Sequence, residues 1–103
     1  MTKSMTELLK DHVINTIKLL VDSPDDVEVS ITISTKSVII QVKSQKSDLG
    51  KIIGKGGRTI ESLKVIILAI KNTHFPEDTR RVILEIIEDE SSSYKDLQSN
   101  YER

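Results

Sequence analysis

The chain has no cysteine and no tryptophan, and it has only one phenylalanine and two tyrosines among its 103 residues. The absence of cysteine excludes disulfide bonds, cysteine-ligated zinc, iron–sulfur clusters and thiol catalysis. Both tyrosines, Tyr94 and Tyr101, lie near the C terminus. The scarcity of aromatic rings disfavours recognition of nucleic acid by stacked aromatic platforms, as in RRM and OB folds.

A long apolar run is also missing. Near the N terminus Glu7, Lys10 and Asp11 interrupt the apolar residues, which predicts neither a signal peptide nor a membrane span and favours the cytoplasm. The length fits one domain, which we place at residues 1–89. The polar residues 90–103 are expected to form a mobile tail.

Glycine is confined to one place. Gly50, Gly54, Gly56 and Gly57 all lie in "DLGKIIGKGGRTIESLK", and the rest of the chain has none. Glycine accepts positive φ and permits close approach of a backbone or ligand. The cluster therefore indicates either a contact loop or a tight turn between helices with nothing bound.

Charge is unevenly distributed. The net charge is −1, yet residues 36–81 carry ten basic and four acidic side chains, a surplus of +6. Lys51, Lys55 and Arg58 surround the glycines within this basic segment. A polyanion would be attracted there.

The hydrophobic pattern predicts an α+β domain with the order α-β-β-α-α-β. Ser4 and Glu7 have the spacing of a capping box, and apolar residues then recur every three or four positions until Pro24. Alternation over 27–34 and β-branched residues over 38–42 predict a hairpin, with a last strand at 82–87. Ser47 or Asp48 can cap a short helix before the glycines, and a longer helix follows at about 58–72.

Catalytic patterns are absent. His12 and His74 lie in different predicted elements, Asp25 and Asp26 precede a strand as turn residues, and the glycine spacing is not that of a P-loop. The sequence predicts no enzyme, no metal site and no cofactor.

The segment "IIGKGGRTI" resembles the (I/V)-I-G-x-x-G-x-x-I signature of the KH (K-homology) domain. The element order resembles the type II, bacterial form, which implies a three-stranded mixed sheet packed against helices. "DLGKIIGKGGRT" is similar to the small single-domain KH proteins of the KhpA family, and the similarity covers about residues 6–89. Two features depart from the family pattern. The acidic tail after Ile87 extends beyond the usual compact domain, and Gly56 makes the loop barer than in many relatives.

The resemblance implies that the glycine loop clamps the backbone of about four nucleotides of single-stranded RNA. Gly54 and Gly57 would shape this loop, and Lys55 and Gly56 would occupy its variable positions. The other implied RNA-binding residues are Lys51, Arg58 and Ile53. Ile53, with some of Val38, Ile40 and Val42, would form an apolar groove floor unless these residues are ordinary core.

The long predicted helix has a second apolar strip. Ile60, Leu63, Ile67 and Ile70 form the stripe expected to face the core, while Val65 and Ala69 fall on the opposite side with Leu68 beside them. Such a strip indicates a partner. The family resemblance implies a homodimer or a heterodimer with a larger KhpB-like KH protein through this helix.

The function expected from the resemblance is that of an RNA chaperone or post-transcriptional regulator with low sequence specificity, connected in that family with cell shape. The alternative is an adaptor that keeps the KH fold and pairs with proteins while binding little RNA. The negative net charge slightly favours this alternative.

Overall fold

A computed structural model describes residues 3–88. Three α-helices and three β-strands follow one another in the predicted order α-β-β-α-α-β. Their bounds are α1 Met5–Leu20, β1 Glu28–Ile33, β2 Ser37–Ser44, α2 Leu49–Ile53, α3 Arg58–His74 and β3 Arg81–Glu88. Short 3-10 turns occupy Pro24–Asp26, Lys46–Asp48 and Lys55–Gly57. The predicted tail at 90–103 lies outside the described residues.

The capping box predicted for α1 is confirmed. The Glu7 backbone N–H donates to Ser4 Oγ at 3.2 Å, and the Ser4 N–H donates to Glu7 Oε1 at 3.1 Å. These bonds satisfy two donors that a helix start otherwise leaves without partners. The helix buries Met5, Leu9, Val13 and Ile17 on one side, because four-residue spacing keeps them on one face.

The sheet is mixed, in the order β1-β2-β3. β1 pairs antiparallel with β2, with Ile31 opposite Ile40, and β2 pairs parallel with β3, with Ile40 opposite Leu84. A parallel pair needs a long crossover, and α2 and α3 supply it. The central strand is therefore β2, and β1 and β3 are the edges.

One face of the sheet carries the core. Val29, Val38, Ile40, Val42, Val82, Leu84 and Ile86 are buried in alternation along the three strands. α1 packs on β1, α3 packs on β3, and the two helices pack on each other. Leu63 and Ile67 are the buried residues of the α3 stripe, with Ile60 and Ile70 partly buried beside them. The predicted core stripe of this helix is confirmed.

A buried lysine organises the loop between α3 and β3. Lys71 is 1% exposed, and its Nζ donates to the Asp78 carbonyl oxygen at 2.5 Å and lies 3.3 Å from Asp78 Oδ1. Arg80 Nη2 donates to Asp78 Oδ2 at 2.6 Å. These hydrogen bonds, chiefly those from Arg80, hold the pKa of the Asp78 carboxyl well below its usual range. Lys71, Asp78 and Arg80 together fix the path of the chain from α3 into β3.

Candidate nucleic-acid interface

The glycine loop forms a sharp corner between α2 and α3. Gly54 ends α2 with φ 80° and ψ 168°, and its N–H donates to the Gly50 carbonyl at 2.8 Å. The Gly57 N–H donates back to the Gly54 carbonyl at 3.1 Å. Lys55 and Gly56 stand at the tip between these bonds, and both are exposed.

Two of these positions require glycine for different reasons. At Gly54 a Cβ would lie 2.2 Å from Thr59 Oγ1, and the backbone conformation is one that only glycine adopts freely. Gly57 has φ 79° and ψ 10° as the N-cap of α3 and is buried. Gly56 also has positive φ, at 63°, but a Cβ there would meet no atom within 4 Å. The loop conformation therefore depends most on Gly54, while the tip stays open.

The arrangement suits an anion. α3 is 17 residues long and begins at Arg58, so the positive end of its dipole lies at the loop. Gly57 has no side chain that could cap the first turn of α3. Backbone N–H groups at such a corner, together with nearby cations, bind phosphate oxygens. Lys55 and Arg58 are exposed and form no salt bridge with any residue in the described range 3–88.

Lys51 differs from these two cations. Its Nζ lies 3.1 Å from Asp22 Oδ2 and 4.0 Å from Asp48 Oδ1. The side chain is 46% exposed, so this ion pair is a weak one that phosphate can compete for. Lys51 would have to leave Asp22 before it could bind RNA as predicted.

Asp48 has a role that the sequence did not predict. It stands at the N-cap of α2, but its carboxylate makes no capping bond. The side chain is 1% exposed and accepts hydrogen bonds from the backbone N–H groups of Asp22 and Ser23, each at 3.1 Å. Asp48 thereby joins the end of α1 to the start of α2 and fixes where the glycine loop begins.

For β2 the structure decides between the two interpretations that the sequence left open, in favour of ordinary core. Val38, Ile40 and Val42 are each 0% exposed, because β2 is the central strand and this face is covered by helices. A strand of RNA cannot lie on this covered face, and the edge of the sheet next to α3 is β3. Ile53 is half-buried at the end of α2, so it retains surface for contact with a base.

The apolar strip on α3 is larger than the sequence indicated. Val65 is 64% exposed, Ile66 49% and Leu68 41%, and Ala69 is also exposed. The strip predicted from the sequence did not include Ile66, which lies one turn after the exposed Ser62 and borders the core stripe. Four neighbouring apolar residues face solvent on this helix.

Residues 3–88 contain no group of three or more histidine, cysteine, aspartate or glutamate side chains placed to hold a metal ion. His12 is half-buried in α1, and among the described residues its Nε2 has no hydrogen-bond partner. His74 ends α3. In the same range no helix is long and apolar enough to cross a lipid bilayer.

Comparisons with known proteins agree with this geometry. The family profile described as KhpA/KhpB, KH domain, matches residues 10–86. The chain is 36% identical to the RNA-binding protein KhpA of Chlamydia caviae over 79% of this chain and 99% of the relative. It is 41% identical to the RNA-binding protein KhpA of Aquifex aeolicus over 78% of this chain and 96% of the relative. No solved structure gives a significant match.

The match covers both the glycine loop and the strands that flank it, and the element order and mixed sheet are those of a type II KH fold. The chain therefore belongs to the KhpA/KhpB KH-domain family.

Proposed function

We propose that this protein binds single-stranded RNA, with the G-K-G-G loop holding the phosphate backbone. The observation that carries the proposal is the open loop tip. Lys55, Gly56 and Arg58 are exposed beside the N terminus of α3, and within the described range the two cations have no salt-bridge partner. The names of the relatives, RNA-binding protein KhpA, support the same ligand.

The contacts available at the loop set the expected selectivity. Gly54, Gly56 and Gly57 offer backbone only, and the cations bind phosphate, which carries no sequence information. The bound strand then passes Ile53 and the edge of β3. We therefore propose low sequence specificity and a role as an RNA chaperone or post-transcriptional regulator in the cytoplasm, and no enzymatic activity.

The double variant Lys55→Asp, Gly56→Asp tests the proposal. Two carboxylates would stand where a phosphate has to sit, and their repulsion should abolish binding of RNA in a mobility-shift assay at low salt. The fold should survive, because both positions are exposed and aspartate tolerates the backbone conformation of Gly56.

A matched control separates site from net charge. The variant Asn15→Asp, Lys18→Asp changes the charge by the same amount on the exposed face of α1. It should bind RNA nearly as the wild type does. Undiminished binding by a folded loop variant would refute the phosphate clamp. A wild type that binds a partner protein but no RNA would favour the adaptor.

We also propose that the strip of Val65, Ile66, Leu68 and Ala69 pairs two KH domains. The partner is a second copy of this chain or a KhpB-like KH protein. Burial of such a strip is favourable by about 25 cal/mol per Å², and two linked loops hold one RNA strand more tightly than one.

Val65→Asp tests the pairing. In a symmetric dimer it places two like charges in a drying interface, so analytical ultracentrifugation should show monomers. Leu19→Asp is the control, because Leu19 is 87% exposed on α1, away from the strip. A wild type that is monomeric at tens of micromolar would remove the homodimer and leave only the heterodimer.

A further inference from the structure

An open groove of about 700 Å³ lies at the end of α3 opposite the glycine loop. Its walls are Thr35, in the turn between β1 and β2, His74 at the end of α3, and residues 75–80 of the loop between α3 and β3. This volume is within the range of clefts that hold small-molecule ligands. The buried Lys71 and its bonds to Asp78 hold one wall of the groove in place.

The groove offers two kinds of contact. The rings of His74 and Phe75 have centroids 6.4 Å apart and planes tilted by 52°, and His74 is exposed while Phe75 is half-buried. A nucleobase can pack against such rings. Phe75 is the only aromatic residue, apart from histidine, within the described range.

Two cations stand next in sequence to residues that line the groove: Lys36 follows Thr35, and Arg81 follows Arg80. The Arg81 backbone N–H donates to the Lys36 carbonyl at 3.1 Å, which places these two residues side by side at the starts of β2 and β3. Both side chains are exposed, and neither forms a salt bridge inside the range 3–88. Of the nearby acids, Asp78 is compensated by Lys71 and Arg80, while Glu77 is exposed. The exposed charges in and beside the groove, Lys36, Arg81 and Glu77, therefore sum to a positive charge.

The groove and the glycine loop are joined by one helix and one sheet edge. α3 has 17 residues, so its two ends are about 24 Å apart. At the stacked spacing of about 3.4 Å per nucleotide, this distance corresponds to roughly seven nucleotides. An RNA of four nucleotides cannot reach both ends, whereas one of ten can.

We propose that this groove is a second contact site for the same RNA strand, with Lys36 and Arg81 binding phosphate and with His74 and Phe75 against a base. The inference rests on the proposed binding of RNA at the glycine loop. It adds a length requirement: RNA longer than the loop footprint gains contacts within one protomer.

The test compares a four-nucleotide and a ten-nucleotide oligouridine with three proteins. Wild type should bind the decamer more tightly than the tetramer, and the difference should depend on salt. Two phosphate contacts predict that the ratio of the affinities falls about seven-fold between 50 and 200 mM salt. Lys36→Gln, Arg81→Gln should reduce this ratio and its salt dependence while binding the tetramer unchanged. The single variant Lys36→Gln, in an exposed turn, should lose about half of the salt dependence, measured as the slope of the logarithm of this affinity ratio against the logarithm of salt concentration.

The control Lys10→Gln, Lys18→Gln removes the same charge from exposed positions of α1 and should keep the length effect. The inference is overturned if Lys36→Gln, Arg81→Gln retains the decamer affinity and salt slope, or if wild type shows no length effect. The loop proposal fails separately, if Lys55→Asp, Gly56→Asp still binds the tetramer. In amide NMR spectra, residues 74–81 should shift with the decamer and remain unchanged with the tetramer.

Discussion

The two ends of α3 differ in how their charged residues are used. At its N terminus the chain turns through three glycines with positive φ, and the cations Lys55 and Arg58 are exposed without salt bridges in the described part of the chain. At its C terminus Lys71 is buried, and Asp78 and Arg80 compensate each other and the lysine. At the N terminus Lys55 and Arg58 stay available to a ligand, whereas at the C terminus Lys71, Asp78 and Arg80 hold the chain.

This difference separates the two kinds of charge in a small domain. A paired charge that is buried among its partners contributes to folding, since its removal leaves groups without compensation. A charge left in water contributes little to folding and remains free to bind phosphate. Substitutions of paired, buried charges and of exposed, unpaired charges should therefore affect different properties.

The largest effect is expected at the C-terminal end of α3. Lys71→Ala removes a fully buried side chain and a charge-assisted hydrogen bond to the Asp78 carbonyl, and it should lower the free energy of unfolding by about 3 kcal/mol. Urea denaturation measures this. Lys64→Ala, at an exposed position of the same helix, should cost about 0.5 kcal/mol or less. Equal effects of the two variants would mean that the network does not hold the loop.

A smaller effect is expected in the glycine loop at the N-terminal end of α3. Gly54→Ala forces a Cβ to within 2.2 Å of Thr59 Oγ1 at a backbone conformation reserved for glycine, which should cost about 2 kcal/mol. Gly50→Ala is its control, because a Cβ there meets nothing within 4 Å inside α2. It should leave stability unchanged or raise it by about 0.5 kcal/mol. A stable Gly54→Ala protein with full RNA affinity would show that the corner is not needed.

The smallest effect is a pH dependence of stability that arises from Asp78, at the C-terminal end of α3. The pKa of Asp78 is lowered in the folded protein, chiefly by Arg80, so its contribution to stability is present above the ordinary aspartate pKa of about 3.9 and fades as pH falls below it. Circular dichroism melts between pH 5 and pH 2 should show this loss. Asp78→Asn should flatten the profile over the same range, and an unchanged profile would contradict the ion-pair network.

Local patterns predicted most of the elements. The Ser4 and Glu7 spacing located the start of α1, alternation located β1, and the glycines located the corner before α3, because each depends on neighbours in sequence. The order of the strands depends on a long-range choice. Nothing local told whether β3 would join β1 or β2, so the sequence left open whether Val38, Ile40 and Val42 line a groove or belong to the core. The structure buries them.

The pairing of Lys71 with Asp78 at the C terminus of α3 also could not be predicted from the sequence. Lys71 follows Ile67 by four residues and so continues the core stripe, which signals a buried lysine. Its partner Asp78 is seven residues further along, and only the folded loop brings the two together. The same holds for Asp48, whose hydrogen bonds run to Asp22 and Ser23 across the domain.

The most direct measurement of the central claim is an NMR titration of the whole protein with a tetranucleotide of uridine. The account predicts that amide signals of residues 54–59 shift together, while those of 75–80 stay in place. The shifts should vanish in Lys55→Asp, Gly56→Asp. Saturable shifts confined to other parts of the domain, with the loop signals unmoved, would contradict the assignment of the glycine loop as the phosphate site.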